Sequence, residues 1–204
     1  MTEDGVIKQE TILNKLQTYD IEYINNRYNT YGVLGMQMAF YRLGYLIGQL
    51  NKVPSSILDV GYGNGDFLRA CKTIVNDCFG NDVSEYQLPT GVEFIENIFS
   101  RHFEVITFFD VLEHFENIEF VQKLNCDYIL ISLPWCHYTD DIWFKNWKHR
   151  RPDEHLWHFN DVSLIKFFDR MGYEKVSISN IEDAIRISNY NLPNILTGLF
   201  KKRI

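Results

Sequence analysis

The run Ile57-Leu58-Asp59-Val60-Gly61-Tyr62-Gly63-Asn64-Gly65-Asp66 constrains this chain more than any other feature. A short apolar stretch ending in an acid, followed by glycine at every second position, predicts a buried parallel strand that opens onto a ligand-binding turn. Glycine reaches positive φ without steric cost and lets a ligand lie against the backbone, while Asp59 supplies a carboxylate at the strand's carboxyl end. The spacing is G-x-G-x-G and not G-x-G-x-x-G, so a pyrophosphate seated on a helix N-terminus fits less well than a nucleoside without phosphates.

Three further segments follow in order. Phe79-Gly80-Asn81-Asp82-Val83-Ser84 places an acid at the end of a second strand. Phe103 to His114 is an apolar strand running into Asp110-Val111-Leu112-Glu113-His114. Glu154-His155-Leu156-Trp157-His158-Phe159 with Gly172-Tyr173 closes the series. Together with the glycine run these segments resemble the class I S-adenosylmethionine-dependent methyltransferases, in particular their small-molecule branch. The resemblance spans roughly residues 50 to 202.

The resemblance implies an α/β fold: a doubly wound, mostly parallel seven-stranded sheet, Rossmann-like, with a helical N-terminal cap. It also implies S-adenosyl-L-methionine as cofactor. Asp82 is expected to hold the ribose, and Asp59 the glycine loop or the methionyl amino group. Gly61, Tyr62, Gly63, Asn64, Gly65, Val83, Asn97, Asp110, Val111 and Leu112 are the remaining cofactor candidates. The aspartate that many family members place near the adenine amino group is missing, and Glu96 or Asn97 is the substitute available. The alternative for Asp59 is an acid capping its own strand end; for Asp82 it is an Asx-type turn.

The alternation of patterns gives strands at 57–60, near 79–82, at 92–95, 104–109 and 128–132, with helices at 66–76 and about 116–124 and a helical turn from Ser84. Asp66 is the expected N-cap of the first core helix. Asn160 or Asp161 caps a helix at 161–171 that ends before Gly172, and residues 173–179 and 196–202 form the terminal strands, antiparallel at the sheet's end. Only Asn97 to His102 separate the third strand from the fourth. A parallel crossover ordinarily takes a dozen residues or more, so this crossover helix is expected to be absent or reduced.

Two domains are drawn from this: residues 1–50 as a helical cap or lid, and 51–204 as the cofactor-binding domain with an acceptor-site insertion at about 133–160. The cap has a dense tyrosine pattern and helical apolar spacing from Gly35 to Leu50. The family resemblance makes Tyr28, Tyr31 and Arg42 its candidates for meeting the cofactor, with packing or homodimer formation the alternative. The insertion mixes Trp135, Tyr138, Trp143, Phe144, Trp147 and Trp157 with Lys148, His149, Arg150, Arg151, His155 and His158. Such a set suits a ring or sugar face and an anionic group on an acceptor. The plainer alternative is a satellite core with solvated charges.

Methyl transfer to a hydroxyl needs a proton acceptor, and His114 and His155 are the two candidates; a structural histidine paired with Glu113 or a carbonyl is the alternative for the first. No metal ligand is expected: Cys71, Cys78, Cys126 and Cys136 lack C-x-x-C spacing and are expected to be free, buried thiols. A net charge of −7 disfavours a nucleic-acid surface. The acidic N-terminus and the lack of a long apolar run predict a cytoplasmic protein with no membrane contact. The function expected is methyl transfer to a small polar acceptor, with O-methylation of a sugar-like or anionic metabolite foremost. Nucleic-acid methylation and non-catalytic cofactor binding stay open as alternatives.

Overall fold

The computed structural model describes residues 1–9, 18–28, 32–84, 86–187 and 191–203. In chain order its elements are β1 (Ile7–Lys8), α1 (Ile21–Tyr28), α2 (Val33–Leu50), β2 (Ser56–Val60), α3 (Asp66–Cys71), β3 (Asp77–Asn81), β4 (Glu93–Phe94) and β5 (Phe103–Phe109). These are followed by β6 (Cys126–Pro134), α4 (Asp141–Asn146), β7 (Trp157–His158), α5 (Asp161–Arg170), β8 (Tyr173–Ser179) and β9 (Ile195–Lys202). Seven strands form one sheet in the order β4-β3-β2-β5-β6-β9-β8, and β1 pairs with β7 in a separate two-stranded ribbon. Strands β4 to β6 run parallel, whereas β9 is antiparallel to both of its neighbours. This is the doubly wound, mostly parallel α/β sheet expected from the sequence.

The central strands are buried on both faces, which is why β5 is apolar at almost every position and buried at all of them. Alternation along β2 distributes the core. Ile57 joins the cluster beneath α2 and α3, which includes Leu43, Leu46, Phe67 and Leu68. Leu58 and Val60 join the opposite cluster, which takes in Leu164, Phe167 and Phe168 of α5. The one acid inside β5, Glu104, lies at the amino end, where Ser55 donates to it from its backbone N–H and its hydroxyl, each at 2.7 Å, and Lys52 pairs with it at 2.7 Å.

Several local expectations are met and several are corrected. Asn160 caps α5 through a full capping box, Ser163 N–H donating to Asn160 Oδ1 at 2.8 Å and Asn160 N–H to Ser163 Oγ at 3.0 Å. Between β4 and β5 there is no helix: Phe99 N–H donates to Asn97 Oδ1 at 2.9 Å in a turn, and the chain recrosses without a helical layer. The four cysteines are free and buried. The first core helix, expected over 66–76, ends at Cys71. Beyond it Thr73, Ile74 and Val75 are β-branched, the N–H groups of Thr73 and Ile74 turn to carbonyls three residues back, and the Thr73 hydroxyl donates to Ala70 O at 2.7 Å. Its N-cap is Gly65 at φ +77, so Asp66 is the first helical residue and not the cap.

Among the described residues no helical turn follows Ser84, and Pro89 disfavours helical backbone at Leu88. The helix expected over 116–124 is replaced by 3₁₀ turns at Leu112–His114 and Glu119–Lys123, the second introduced by Asn117 Oδ1 accepting Glu119 N–H at 2.9 Å. The ribbon β1–β7 was not foreseen: two residues of the N-terminal segment pair with the insertion, Ile7 opposite His158.

Asn160→Ala removes one arm of the box and leaves Ser163 N–H without its acceptor. A loss of about 1 kcal/mol in unfolding free energy is expected, read as a lower urea midpoint with an unchanged slope.

Candidate active site

At the carboxyl edge of the sheet the chain leaves β2 through three glycines with positive φ: Gly61 at +74, Gly63 at +55 and Gly65 at +77. A side chain at Gly61 would meet Val111 Cγ2 at 2.3 Å, so the loop lies directly against the turn that follows β5. Gly61 N–H donates to Asn81 O at 2.7 Å, and Gly65 N–H to Tyr62 O at 2.9 Å. Asp82 fastens this loop from the next strand. Its Oδ2 accepts Gly63 N–H at 2.8 Å and its Oδ1 accepts Ser84 N–H at 2.7 Å, so the carboxylate makes an Asx-type turn and a clamp at once. A carboxylate has about four acceptor directions, which leaves room for two more donors.

The other loop residues divide. Tyr62 is buried with its hydroxyl donating to Tyr86 O, and Asn64 Oδ1 accepts Asp66 N–H at 3.2 Å. Val83 beside the clamp is 79% exposed. Asn97 is exposed and its carboxamide oxygen serves its own turn. Asp59 is buried, and Thr107 Oγ1 donates to its Oδ1 at 2.6 Å. Burial pushes this carboxyl up to about 7, against the opposing effects of the Thr107 hydrogen bond and Arg42.

Beyond β5 lies a buried ionic network that joins distant parts of the chain. Asp110, a non-glycine residue at φ +55, accepts Arg186 Nη1 at 2.6 Å and Nη2 at 3.0 Å. Glu182, fully buried, accepts Arg42 Nε at 2.7 Å, Arg42 Nη2 at 3.1 Å and Arg186 Nη1 at 3.0 Å. Arg42 also stands 3.7 Å from Asp110 and 4.1 Å from the centre of the Phe109 ring. Burial alone would raise the Asp110 carboxyl, but Arg186 outweighs it and holds the group well below the usual carboxylate range. For Glu182 burial is likewise overcome by Arg42 and Arg186. Asp110 and Arg42, expected near the cofactor, are therefore committed to each other and to two residues, Glu182 and Arg186, that sequence reasoning missed. The side chain of Tyr28 and the whole of Tyr31 lie outside the described residues.

His114 and His155, 41 residues apart in sequence, are brought together with ring centroids 4.8 Å apart, edge to face. Leu156 N–H donates to Glu113 O at 2.8 Å and so fixes the insertion to the 3₁₀ turn. His114 Nδ1 lies 2.9 Å from Glu154 O and 2.8 Å from the Tyr19 hydroxyl, and His155 Nδ1 lies 2.7 Å from His149 O. Burial lowers both imidazoles, His155 to about 2 with His114 as the next cause. Glu113 is buried, among the described residues neither carboxylate oxygen accepts a hydrogen bond from another residue, and burial followed by Asp110 raises its carboxyl well above the ordinary value.

In the insertion the aromatic rings pack on one another. Trp143 stacks on Trp147 at 5.5 Å, and Phe144 and Trp147 both meet the edge of His158, at 4.9 and 5.7 Å. Trp157 turns away to the N-terminal ribbon, donating to Phe115 O at 2.7 Å with Lys8 4.8 Å from its ring centre. Of the three basic candidates, Arg151 is paired with Glu154 at 2.8 Å, Arg150 lies 5.4 Å from the centre of the Phe144 ring, and Lys148 is exposed near Arg186. A separate cavity of about 780 Å³ lies against α1 and α3, lined by Ile21, Arg69, Lys72 and Tyr86, and contains none of the expected cofactor residues.

The methyltransferase-domain family profile matches residues 37–178, from α2 into β8. The chain belongs to the methyltransferase domain family. No curated protein matches it in sequence. Among solved structures it is similar in fold to the 1,6-didemethyltoxoflavin-N1-methyltransferase of Burkholderia thailandensis, crystallised with 1,6-didemethyltoxoflavin and S-adenosylhomocysteine, at TM-score 0.61 and 13% identity over 95% of each chain. It is also similar to the magnesium protoporphyrin IX methyltransferase of Synechocystis PCC 6803, crystallised with S-adenosylhomocysteine, at TM-score 0.59 and 12% identity, covering 94% of this chain and 91% of that one. A third is an S-adenosylmethionine-dependent methyltransferase from Listeria monocytogenes, at TM-score 0.57 and 15% identity, covering 81% of this chain and all of the other. The protein thus shares its fold with methyltransferases crystallised with S-adenosylhomocysteine.

In this methyltransferase the ionic network couples the carboxyl end of β5 to α2. Arg42→Met removes a cation from between Glu182 and Asp110 and should cost about 3 kcal/mol, at the low end for breaking a buried pair because Arg186 still reaches Glu182. Urea unfolding checks it. Both acids titrate below their unfolded values, so their stabilisation is complete above about pH 4 and is lost as pH falls through the folded values. Acid unfolding of the variant should therefore begin at higher pH than that of the wild type.

Proposed function

We propose that this methyltransferase moves a methyl group from S-adenosylmethionine to an oxygen of a small polar acceptor, of the sugar-like or anionic kind, in the cytosol. The observation that carries the reading is the clamp of Asp82 on the positive-φ glycine loop, within one turn of chain of a paired His114 and His155. The loop gives the methionyl part of the cofactor a surface without side chains, and the free acceptor directions of Asp82 take the two ribose hydroxyls. Val83 covers one side of the base, Val111 and the backbone at Leu112 the other, and Asn97 lies on the adenine side. Asp59, pushed up to about 7 by its burial, is drawn toward the ionised form beside the methionyl ammonium. Asp110 acts by fixing the end of β5.

Residues 1–50 act as the cap and the segment at about 133–160 supplies the acceptor side, with Lys148 and Arg150 as its cationic rim. The net charge of −7 favours a small molecule over a nucleic acid. The displacement is in line at the sulfonium carbon, so alignment and exclusion of water supply most of what the protein must do.

The cofactor assignment is tested by calorimetry. S-adenosylmethionine and S-adenosylhomocysteine should both bind the purified protein, and Asp82→Ala should weaken binding by about 1.5–3 kcal/mol. Failure of both nucleosides to bind, or unchanged affinity in a folded variant, overturns it.

The acceptor side is tested by screening hydroxylated and anionic metabolites with methyl-labelled cofactor, then replacing each histidine. His114→Gln or His155→Gln should lower turnover by roughly 10²–10⁴-fold with cofactor affinity unchanged. A loss below about tenfold in both would leave catalysis to alignment alone and make a nitrogen or an already ionised oxygen the better acceptor.

A further inference from the structure

We propose that Glu113, His114 and His155 form a binding site for one first-row transition-metal dication. One donor atom from each of the three lies within 4.8 Å of the others. Glu113 is 1% exposed, and among the described residues neither of its oxygens accepts a hydrogen bond from another residue, its own backbone N–H being the one nearby donor. A buried carboxylate left bare is among the costliest groups a fold can hold, so something of positive charge or a proton must answer it. The cations whose fields reach it are already engaged: Arg186 with Asp110 and Glu182, and Arg151 with Glu154.

The histidines are oriented as metal ligands are. Each has Nδ1 against a backbone carbonyl, Glu154 O at 2.9 Å for His114 and His149 O at 2.7 Å for His155. A carbonyl only accepts, so Nδ1 carries the proton in both rings, shared at His114 between Glu154 O and the Tyr19 hydroxyl oxygen, and the lone pair sits on Nε2, where among the described residues no hydrogen bond is made. A ring nitrogen held by a backbone carbonyl is the usual support behind a ligating histidine. The backbone bond from Leu156 to Glu113 joins the two segments that supply the donors, so the set is assembled by the fold itself.

Two imidazoles and one carboxylate suit zinc, manganese, iron or cobalt better than magnesium or calcium, which take mainly oxygen ligands. Ligands at about 2.0–2.2 Å from an ion lie roughly 3.0–3.5 Å apart, so side-chain rotations of the order of 1 Å close the site. Three protein ligands leave open positions, and an acceptor hydroxyl is the group that the neighbouring cofactor edge would present there. With the ion bound, the two Nε2 lone pairs belong to it, and the histidines orient the acceptor through it.

The proposal goes beyond the methyl-transfer reading and is measured without cofactor or acceptor, so the failure of either leaves the other standing. Full-length protein stripped with a chelator is titrated with Zn²⁺ in a calorimeter and with Co²⁺ in an absorption spectrometer. One equivalent of Zn²⁺ should bind, Co²⁺ should develop visible d–d bands, and Zn²⁺ should raise the melting temperature. Glu113→Gln and His155→Asn should each weaken binding at least about tenfold and abolish the bands, while His102→Ala, on an exposed His–Asp pair away from the site, should bind as the wild type does. Glu113→Gln also separates the ion from a protonated acid: without metal the variant should melt no lower than the wild type, and with Zn²⁺ it should lose the rise. This isosteric variant carries the test if His155→Asn does not fold. No saturable binding by the wild type, or binding that survives both substitutions, overturns the proposal.

Discussion

The structure depends most on the buried exchange of charge among Arg42, Asp110, Glu182 and Arg186. Glu182 leaves water entirely while the side chains of Arg42, Arg186 and Asp110 stay partly exposed, and its desolvation is offset because strong donors converge on it: Arg186 spans Asp110 and Glu182, and Arg42 grips Glu182 at two points. Arg42 comes from α2, Asp110 from the residue after β5, Glu182 from a 3₁₀ turn at Ile181–Ala184 and Arg186 from just beyond that turn, so the network fastens α2 to two separate crossings of the sheet edge. It also sets a backbone angle. Asp110 sits at φ +55 without being glycine, and its bidentate bond to Arg186 holds the strained residue where β5 must bend. That bend delivers Val111 against Gly61 and, one turn later, Glu113 and His114 to the same edge.

What was legible in the sequence follows from the range of the interactions. The glycine loop, the Asn160 cap and the strands of the sheet are local, written in glycine spacing, a polar residue before an apolar face, and runs buried on both sides. The missing crossover helix was legible by counting, since Asn97 to His102 cannot supply one. The overrun of the first helix past Cys71 came from weighing apolar periodicity above the β-branched run Thr73-Ile74-Val75. The helix expected at 116–124 failed because Asn117 hydrogen-bonds the chain two residues on and offers the backbone another conformation.

Charged partners were less legible. Arg42 and Glu182 stand 140 residues apart, and nothing near either one points to the other. The i, i+4 spacing of Glu182 and Arg186 was the one local trace, but an acidic and a basic residue at that spacing usually form a solvated pair. Asp110 stands just beyond β5, and its carboxylate is taken up by Arg186. Of the two readings of the aromatic insertion, its packing is that of a satellite core, with Trp143, Phe144 and Trp147 closing on His158.

Burial is the common cause of the electrostatics at this edge. It pushes Asp59 up to about 7, raises Glu113, and draws His149 and His158 down to about 4 and His155 to about 2. In every case the neutral form gains. These groups therefore form a poorly solvated patch at the edge, beside the Asp82 clamp and the ionic network. That suits a sulfonium donor, whose positive charge disappears as the methyl group leaves: a fixed anion at the sulfur would stabilise the cofactor before reaction more than at the transition state and would slow the step. Acids are accordingly kept to the rim of the glycine loop, where Asp82 is held by backbone N–H groups, and to Asp59, which a cation arriving beside it draws toward the ionised form.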